Sequence, residues 1–252
     1  MSDLFLLTPS QLARIRPYFP LAHGIPRVDN RRVVSGIIYV LKHGLQWKDV
    51  PKEYGPHKTL YNRFIRWSEL GVFNRIFEPL AGKAGQPDRL MIDATHLKAH
   101  RTAASLLKKG LFSRCIGRTK GGLNSKLHAV TDGRGRPLLF LLTAGQVSDY
   151  KGARHLLERL PKAKELLADR GYDADWFRNG LKEKGISPCI PPGKKRRDPA
   201  HYDEFLYKQR HRIENMFGRV KDWRRIATRY DRCAHTFFSA IPIAATCCYW
   251  MD

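Results

Sequence analysis

The chain has 252 residues, with 46 Lys and Arg against 23 Asp and Glu, and a formal net charge of +23 at pH 7. Positive charge of this size opposes compaction unless a polyanion offsets it, so nucleic acid is the first partner to consider and an anionic membrane surface is the rival. The sequence contains no apolar run of about 18 residues, so no membrane-spanning helix is expected. The first ten residues lack the basic start of a signal peptide, and none is expected.

The cysteines indicate a reducing compartment. There are five, an odd number, and none forms a C-x-x-C pair. Free thiols that mostly fill the core of a cytoplasmic protein are therefore expected.

The N-terminal third predicts several short helices. They run from Thr8 to Ile15, from Asp29 to Gly44, from Lys58 to Leu70 and from Phe73 to Leu80. The third helix has a core face, and its polar face carries Lys58, Asn62, Arg63 and Arg66. Several short helices with a basic third member resemble a helix-turn-helix domain, in which that polar face reads DNA. A plain helical bundle with solvated cations is the alternative.

The pattern changes after residues 81–88, which contain two glycines and no apolar period, and which are predicted to be a linker. Strands are predicted at 90–95, 126–131, 137–143, 165–168 and 187–190, and helices at 149–160, 174–184, 207–225 and 236–250. The order of these elements predicts an α/β fold with a mixed sheet and helices on its faces.

The predicted helix 207–225 has two distinct faces. Tyr207, Arg210, Glu214 and Lys221 fall within an arc of roughly 60° at helical spacing. A separate apolar stripe is formed by Leu206, Ile213, Phe217 and Val220. The stripe can pack on a core while the polar face borders a site, although an amphipathic surface helix with an incidental Glu has the same pattern.

Three carboxylates lie where a metal site would need them. Asp93 interrupts an apolar run, Asp169 ends another, and Glu214 lies on the helix above. Converging at one edge of a sheet, they would form an oxygen-rich pocket that suits Mg²⁺ or Mn²⁺. Two such ions, about 3.5–4 Å apart, support phosphodiester chemistry. The alternative is that Asp93 and Asp169 cap turns or pair with nearby arginines.

The segment Tyr207-x2-Arg210-x3-Glu214-x6-Lys221 resembles the C-terminal signature of DDE transposases from bacterial insertion sequences. The resemblance extends to 91–95 around the first acid and to 167–173 around the second. Segments 44–51 and 61–67 are similar to the DNA-binding region of the insertion-sequence-five group. The resemblance covers nearly the whole chain.

This resemblance implies a helical DNA-binding domain at 1–80 and an RNase H-like catalytic domain at 89–252. It implies that Asp93, Asp169 and Glu214 hold two Mg²⁺ ions, with Mn²⁺ as a substitute. Water would then cut the element's end to leave a 3′-hydroxyl, which attacks target DNA.

It further implies that Tyr207, Arg210 and Lys221 contact double-stranded DNA near the cut, and that the protein acts in the bacterial cytoplasm as a homodimer or higher oligomer on DNA. No nucleotide cofactor and no membrane are expected. For Arg210 and Lys221 the alternative is charge pairing with Glu214. For the whole protein the alternatives are a structure-specific nuclease or resolvase on the same fold, and a non-catalytic DNA-binding repressor.

Two further patterns are weaker indications of a binding site. His96 and His100 have the spacing of a zinc pair, but they lie in a strand-like stretch where that spacing does not bring them together on a helix face. The segment 117–122 resembles a phosphate-binding loop only loosely, and it is predicted to be a flexible basic loop near DNA.

Overall fold

The computed structural model describes residues 4–21, 28–83, 85–105, 114–194, 196–197 and 199–251. The chain divides into two compact units. The first comprises Met1–Leu80, His100–Ser113 and Val220–Asp252, and the second comprises Ala81–Ala99 and Arg114–Arg219. Over the part of the chain that is described, none of the helices combines the length and the apolar character needed to cross a membrane.

The regular elements follow in chain order. They are α1 (Pro9–Ile15), α2 (Asn30–His43), α3 (His57–Glu69), α4 (Val72–Gly82), β1 (Arg89–Ala99), β2 (Gly117–Thr119), β3 (Gly122–Asp132), β4 (Pro137–Ala144), α5 (Asp149–Leu157), β5 (Glu165–Leu167), α6 (Asp175–Glu183), β6 (Ser187–Cys189), α7 (Glu204–Tyr207), α8 (His211–Lys221), α9 (Arg224–Ala227), β7 (Thr228–Arg229) and α10 (Ala234–Tyr249).

The N-terminal helices form where the sequence predicts them, because their caps are encoded locally. Thr8 and Gln11 exchange side-chain and backbone hydrogen bonds in a capping box at the start of α1. The Asp29 side chain accepts from the backbone N–H of Arg31 at the start of α2. Gly44 ends α2 with a φ of 75°, a conformation that glycine adopts without strain.

The C-terminal helix belongs to the first unit. α10 contacts α2 and α3, and side chains such as Phe237 and Ile241 are fully buried. The predicted domain at 89–252 therefore differs from the compact units, since it assigns α10 to the other part of the chain. An apolar helix needs a partner surface, but its own sequence does not say which one. The predicted linker is also shorter, because α4 continues to Gly82; Ala84 lies outside the described residues.

The second unit contains the predicted mixed sheet. β1 lies in its interior, antiparallel to β3 on one side and parallel to β5 on the other. β6 extends the sheet in parallel beyond β5, and β2 and β4 both pair antiparallel with β3. The predicted hairpin between β3 and β4 is confirmed, with the backbone N–H of Asp132 donating to the carbonyl of Arg136.

The hydrophobic core of this unit lies between the sheet and helices α5 and α6. Leu90 and Ile92 of β1 are buried in one cluster with Leu156 of α5 and Phe177 of α6. Because alternate residues of a strand point to opposite faces, Asp93 is directed away from the face that carries Leu90 and Ile92. The core thus fixes β1 and β5, the two strands that carry the predicted acids.

Two local predictions are wrong. The predicted continuous helix 207–225 is divided into α7, a 3₁₀ turn at Lys208–Arg210, α8 and α9. The Asp203 side chain caps α7, and Trp223 adopts an extended backbone with its side chain buried, which ends α8. The predicted basic loop 117–122 instead contains β2. It pairs with β3 through a tight turn in which Gly122 has a φ of 90°.

Candidate active site

Asp93 lies in the interior strand β1, directly opposite Ala129 of β3. Its side chain is 16 % exposed. One carboxylate oxygen, Oδ1, accepts a hydrogen bond from the backbone N–H of Ala94 at 2.8 Å. The other, Oδ2, accepts from Nη1 of Arg210 at 2.7 Å. The predicted buried carboxylate therefore has the partners that burial of a charge requires.

Asp169 follows β5, whose residue Leu167 lies beside Met91 of β1 in the parallel pair. Asp93 and Asp169 each lie two residues beyond this pair, so the parallel register brings the first and second acids to the same region of the sheet. Asp169 Oδ1 accepts from the backbone N–H of Gly171 at 2.8 Å. A Cβ at position 171 would lie 3.0 Å from that oxygen, so glycine provides the close approach.

Arg210 joins the first acid to the third. Its Nη1 donates to Asp93, and its Nη2 donates to Oε1 of Glu214, one turn further along the chain. The ring of Tyr207 lies beside the same guanidinium, with its centroid 5.9 Å from Cζ. Glu214 is the most open of these groups, with a side chain 53 % exposed. The predicted apolar stripe of this segment is buried, as the fold requires; it consists of Leu206, Ile213, Phe217 and Val220.

Burial disfavours the ionised forms of the first two acids. Burial raises the pKa of Asp93 to about 6, although the Ala94 amide and the Arg210 guanidinium act in the opposite direction, and the Asp169 carboxylate adds to the rise. Burial likewise raises the pKa of Asp169 against the opposing effect of the Gly171 amide, and Asp149 contributes to that rise. A further cation would therefore stabilise the ionised carboxylates.

Asp149 and Lys126 belong to the same site, and the sequence analysis did not identify them. Lys126 is almost buried on β3, and its Nζ lies 3.0 Å from Oδ1 of Asp149 at the start of α5. A Cβ on Gly171 would lie 3.0 Å from Asp169 Oδ1 and 3.6 Å from Asp149 Oδ2, so the two carboxylates flank this glycine. The sequence signal for Asp149 was an acidic residue at the start of a predicted helix. Such residues are common at helix N-termini, so this signal alone does not indicate a site.

Tyr172 is the other residue that sequence reasoning missed. It is fully buried, and its hydroxyl has no hydrogen-bond partner among the described residues. Burial raises the pKa of Tyr172 well above its usual value, and the negative charges of Asp149, Asp93 and Asp169 raise it further. The hydroxyl therefore lies within the field of the carboxylates, where a buried polar group normally has a partner.

The described acids are not grouped around one shared position. Across the described ranges, no group of three or more His, Cys, Asp or Glu side chains is arranged so that it could hold a metal ion. The convergence of Asp93, Asp169 and Glu214 on shared ions stays a prediction, and the structure adds one feature to it. The Arg210 guanidinium lies between Asp93 and Glu214, and it neutralises part of the negative charge that a metal ion would otherwise neutralise. This pairing is the alternative that the sequence left open for Arg210.

The predicted DNA-contacting residues differ in their surroundings. On α3, Lys58, Asn62 and Arg66 are exposed on one face. Arg63 instead donates from Nη1 to Oδ1 of Asn30 at 2.8 Å and lies over the ring of Trp67, 5.2 Å from its centroid. Arg63 therefore contributes to helix packing, a role that its place on the polar face did not predict.

Lys221, His96 and His100 complete the predicted residues. Lys221 lies at the end of α8, and burial lowers its pKa. His96 Nε2 lies 3.0 Å from the carbonyl oxygen of Gly145, and His100 Nδ1 lies 3.0 Å from Oγ1 of Thr102. Each histidine thus has a local polar partner.

Comparison with known protein families identifies the chain. A family model described as "Transposase DDE domain" matches residues 84–250. The chain belongs to the DDE transposase family. A second model, described as "Putative transposase of IS4/5 family", matches residues 7–77 of this transposase. The resemblance to insertion-sequence transposases is therefore confirmed over both parts of the chain.

Individual relatives agree with that assignment. The transposase is 35 % identical over 126 residues to a Brucella ovis protein named for insertion sequence element IS6501, covering 48 % of this chain and 95 % of the relative. It is 31 % identical over 157 residues to a Burkholderia cepacia protein named for element IS402, covering 55 % of this chain and 72 % of the relative.

A solved structure shows the fold. The structure is that of a piggyBac transposase in a synaptic complex with hairpin DNA, and it matches with a TM-score of 0.53 at 8 % identity, over 95 % of this chain and 69 % of that one. At this identity the match concerns the fold alone. The mixed sheet flanked by helices is the predicted RNase H-like architecture.

Proposed function

We propose that this transposase cuts DNA at the ends of an insertion sequence and joins the resulting 3′-hydroxyl to target DNA. In this proposal Asp93, Asp169 and Glu214 hold divalent metal ions. One observation carries the assignment. The three acids come from β1, from the residues after β5 and from α8. Arg210 donates hydrogen bonds to Asp93 and Glu214, and its charge opposes the rise that burial causes in the pKa of Asp169.

The chemical type of these side chains suits a divalent metal. Carboxylate oxygens are the ligands that Mg²⁺ and Mn²⁺ prefer. Burial raises the pKa values of Asp93 and Asp169, so a bound cation would stabilise their ionised forms. The buried hydroxyl of Tyr172 has no hydrogen-bond partner among the described residues, and burial and the charges of these acids raise its pKa. When bound, the metal would activate a water or a 3′-hydroxyl and stabilise the leaving oxygen.

Backbone and side-chain groups of the protein orient the carboxylates and the DNA. The backbone N–H groups of Ala94 and Gly171 hold one oxygen of Asp93 and one oxygen of Asp169, respectively, which restricts the orientation of both carboxylates. Tyr207, Arg210 and Lys221 bind DNA near the cut, and Arg210 has the planar fork that matches a phosphate. The exposed face of α3 and the remainder of residues 1–80 bind the element's end, and the protein acts as a dimer or higher oligomer on DNA.

Strand cleavage tests the acids. Asp93→Asn, Asp169→Asn and Glu214→Gln should each abolish Mg²⁺-dependent cutting of a duplex that carries the cognate ends, while binding of that duplex in a gel-shift assay is retained. Asp175→Asn is the matched control, since it also removes one carboxylate from the second unit but at a side chain that is 77 % exposed. Wild-type cutting by any of the three acid variants would contradict the assignment.

Strand transfer tests the reaction. A pre-cut donor end should be joined to target DNA by the wild-type protein. Cutting without joining would indicate a nuclease on the same fold, and binding with neither activity would indicate a repressor.

A further inference from the structure

The contacts of Arg210 raise a question that the proposed function leaves open. Its two terminal nitrogens donate to Asp93 Oδ2 and to Glu214 Oε1. These are oxygens that the proposed metal site needs. The Arg210 side chain is 18 % exposed, and its guanidinium lies between the two carboxylates.

A guanidinium and a divalent cation cannot both occupy this position at low cost. An opposite charge at such distances stabilises the ionised carboxylate, whereas two cations between the same carboxylates repel each other. Arg210 must therefore leave at least one of the two carboxylates when a metal binds. A partly buried guanidinium that loses an acid is stabilised by another anion.

The anion available in phosphodiester chemistry is the DNA backbone. The guanidinium fork binds phosphate as well as it binds carboxylate, through the same pair of parallel N–H groups. We infer that Arg210 is a positioning residue that couples the two ligands. In the absence of DNA it holds Asp93 and Glu214 in place of a metal ion, and a DNA phosphate draws it away and opens the carboxylates to the metal.

This coupling rests on the proposed function, because it takes the metal and the DNA from it. Its consequence is reciprocal: DNA tightens metal binding and metal tightens DNA binding by the same factor. It would restrict metal loading, and with it cleavage, to protein that already holds DNA.

The test is metal affinity, measured as free Mn²⁺ by electron paramagnetic resonance, without DNA and with a short duplex, after subtraction of a blank with duplex alone. For wild-type protein we expect the Kd for Mn²⁺ to fall at least about tenfold when the duplex is present. Arg210→Gln should bind Mn²⁺ at least about tenfold more tightly than wild type without DNA, and the duplex should change its Kd by less than about threefold.

Arg212→Gln is the matched control. It removes one positive charge two residues further along the chain, at the start of α8, but the Arg212 guanidinium donates to the carbonyl of Gly133 rather than to an acid. It should keep the wild-type Kd and the wild-type effect of DNA. The double variant Asp93→Asn with Arg210→Gln should lose the tight Mn²⁺ binding, which assigns that binding to the site.

Folding of Arg210→Gln is followed separately by thermal unfolding. In EDTA its Tm should lie below that of wild type, because the acids lose their cation, and Mn²⁺ should restore it. Equal Mn²⁺ affinity of wild type and Arg210→Gln, or the same gain in Arg212→Gln, would overturn the coupling while leaving the metal assignment intact. No Mn²⁺ binding by wild type with duplex, and none by Arg210→Gln, would overturn the proposed metal site itself.

Discussion

Replacing Asp173 with Asn should unfold the second unit at a much lower temperature. Asp173 lies four residues after Asp169 and is 3 % exposed. Its Oδ1 accepts from Nε of Arg178 at 2.6 Å and from Nη1 of Arg196 at 2.9 Å, and its Oδ2 accepts from the backbone N–H of Gly193 at 2.6 Å. This carboxylate connects α6 to the segment that follows β6.

The expected cost follows from what the substitution leaves behind. An asparagine has one acceptor where the carboxylate has two, so its amino group must face either the Gly193 N–H or the two guanidinium groups. Arg178, which is almost buried, also loses its counter-charge. Breaking a buried pair by removing one partner costs about 3–5 kcal/mol. For a chain of this size that corresponds to a fall in Tm of roughly 6–20 °C.

The assay is thermal unfolding of Asp173→Asn beside Asp175→Asn at several pH values. Asp175 also pairs with Arg196 but is 77 % exposed, so its variant should stay close to wild type. Burial raises the pKa of Asp173, but the Gly193 amide and the two arginines outweigh it, and the pKa is lowered overall. The contribution of a carboxylate with a lowered pKa is present above its unfolded value of 3.8 and is lost as the pH falls through the folded value. The gap between the two variants should therefore be constant at neutral pH and narrow below about pH 4. Equal Tm values at pH 7 would refute this reasoning.

Two further predictions concern the site and the DNA surface. In EDTA, Asp93→Asn should become more stable relative to wild type as the pH rises from about 4 to about 7, by at most about 3 kcal/mol. Burial raises the pKa of Asp93 to about 6, so the stability that this raised pKa gives to wild type is present below 3.8 and is lost as the pH rises through 6. A pH-independent difference between the two proteins in fluorimetric unfolding would contradict this prediction. DNA binding should weaken steeply with salt, and replacing Lys58 and Arg66 by Ala should reduce the log–log slope by about two, whereas an unchanged slope and footprint would remove this face of α3 from the DNA surface.

The sequence predicted the parts of the fold that are encoded locally. The capping box at Thr8 and the Asp29 and Gly44 ends of α2 depend on neighbouring residues, and the structure confirms them. The apolar runs around Asp93 and before Asp169 each need burial on a sheet, so the strands could be placed from their composition. The four-residue spacing of Arg210 and Glu214 predicted their proximity, because it survives the change from a 3₁₀ turn to α8.

The remainder depends on contacts between distant segments. α10 is apolar along its length, and nothing in its own pattern selects α2 and α3 as its partners. Asp149 and Lys126 are 23 residues apart, and each is unremarkable in its own segment. Arg63 fits the polar face of α3 by period, yet its guanidinium is engaged by Asn30 and Trp67. Patterns report which surfaces of an element are buried, but not what covers them.

The same distinction explains why three acids can be predicted in one site while their arrangement cannot. A carboxylate in an apolar run must find a positive partner, and the sequence offers several candidates of equal charge. In the folded chain Arg210 pairs with Asp93 and Glu214, and Lys126 pairs with Asp149 rather than with Asp169. Asp169 is left with a backbone amide as its hydrogen-bond donor and with a raised pKa. Burial raises the pKa of both Asp93 and Asp169, so an added divalent cation would stabilise both ionised acids, and at Asp93 it would compete with Arg210.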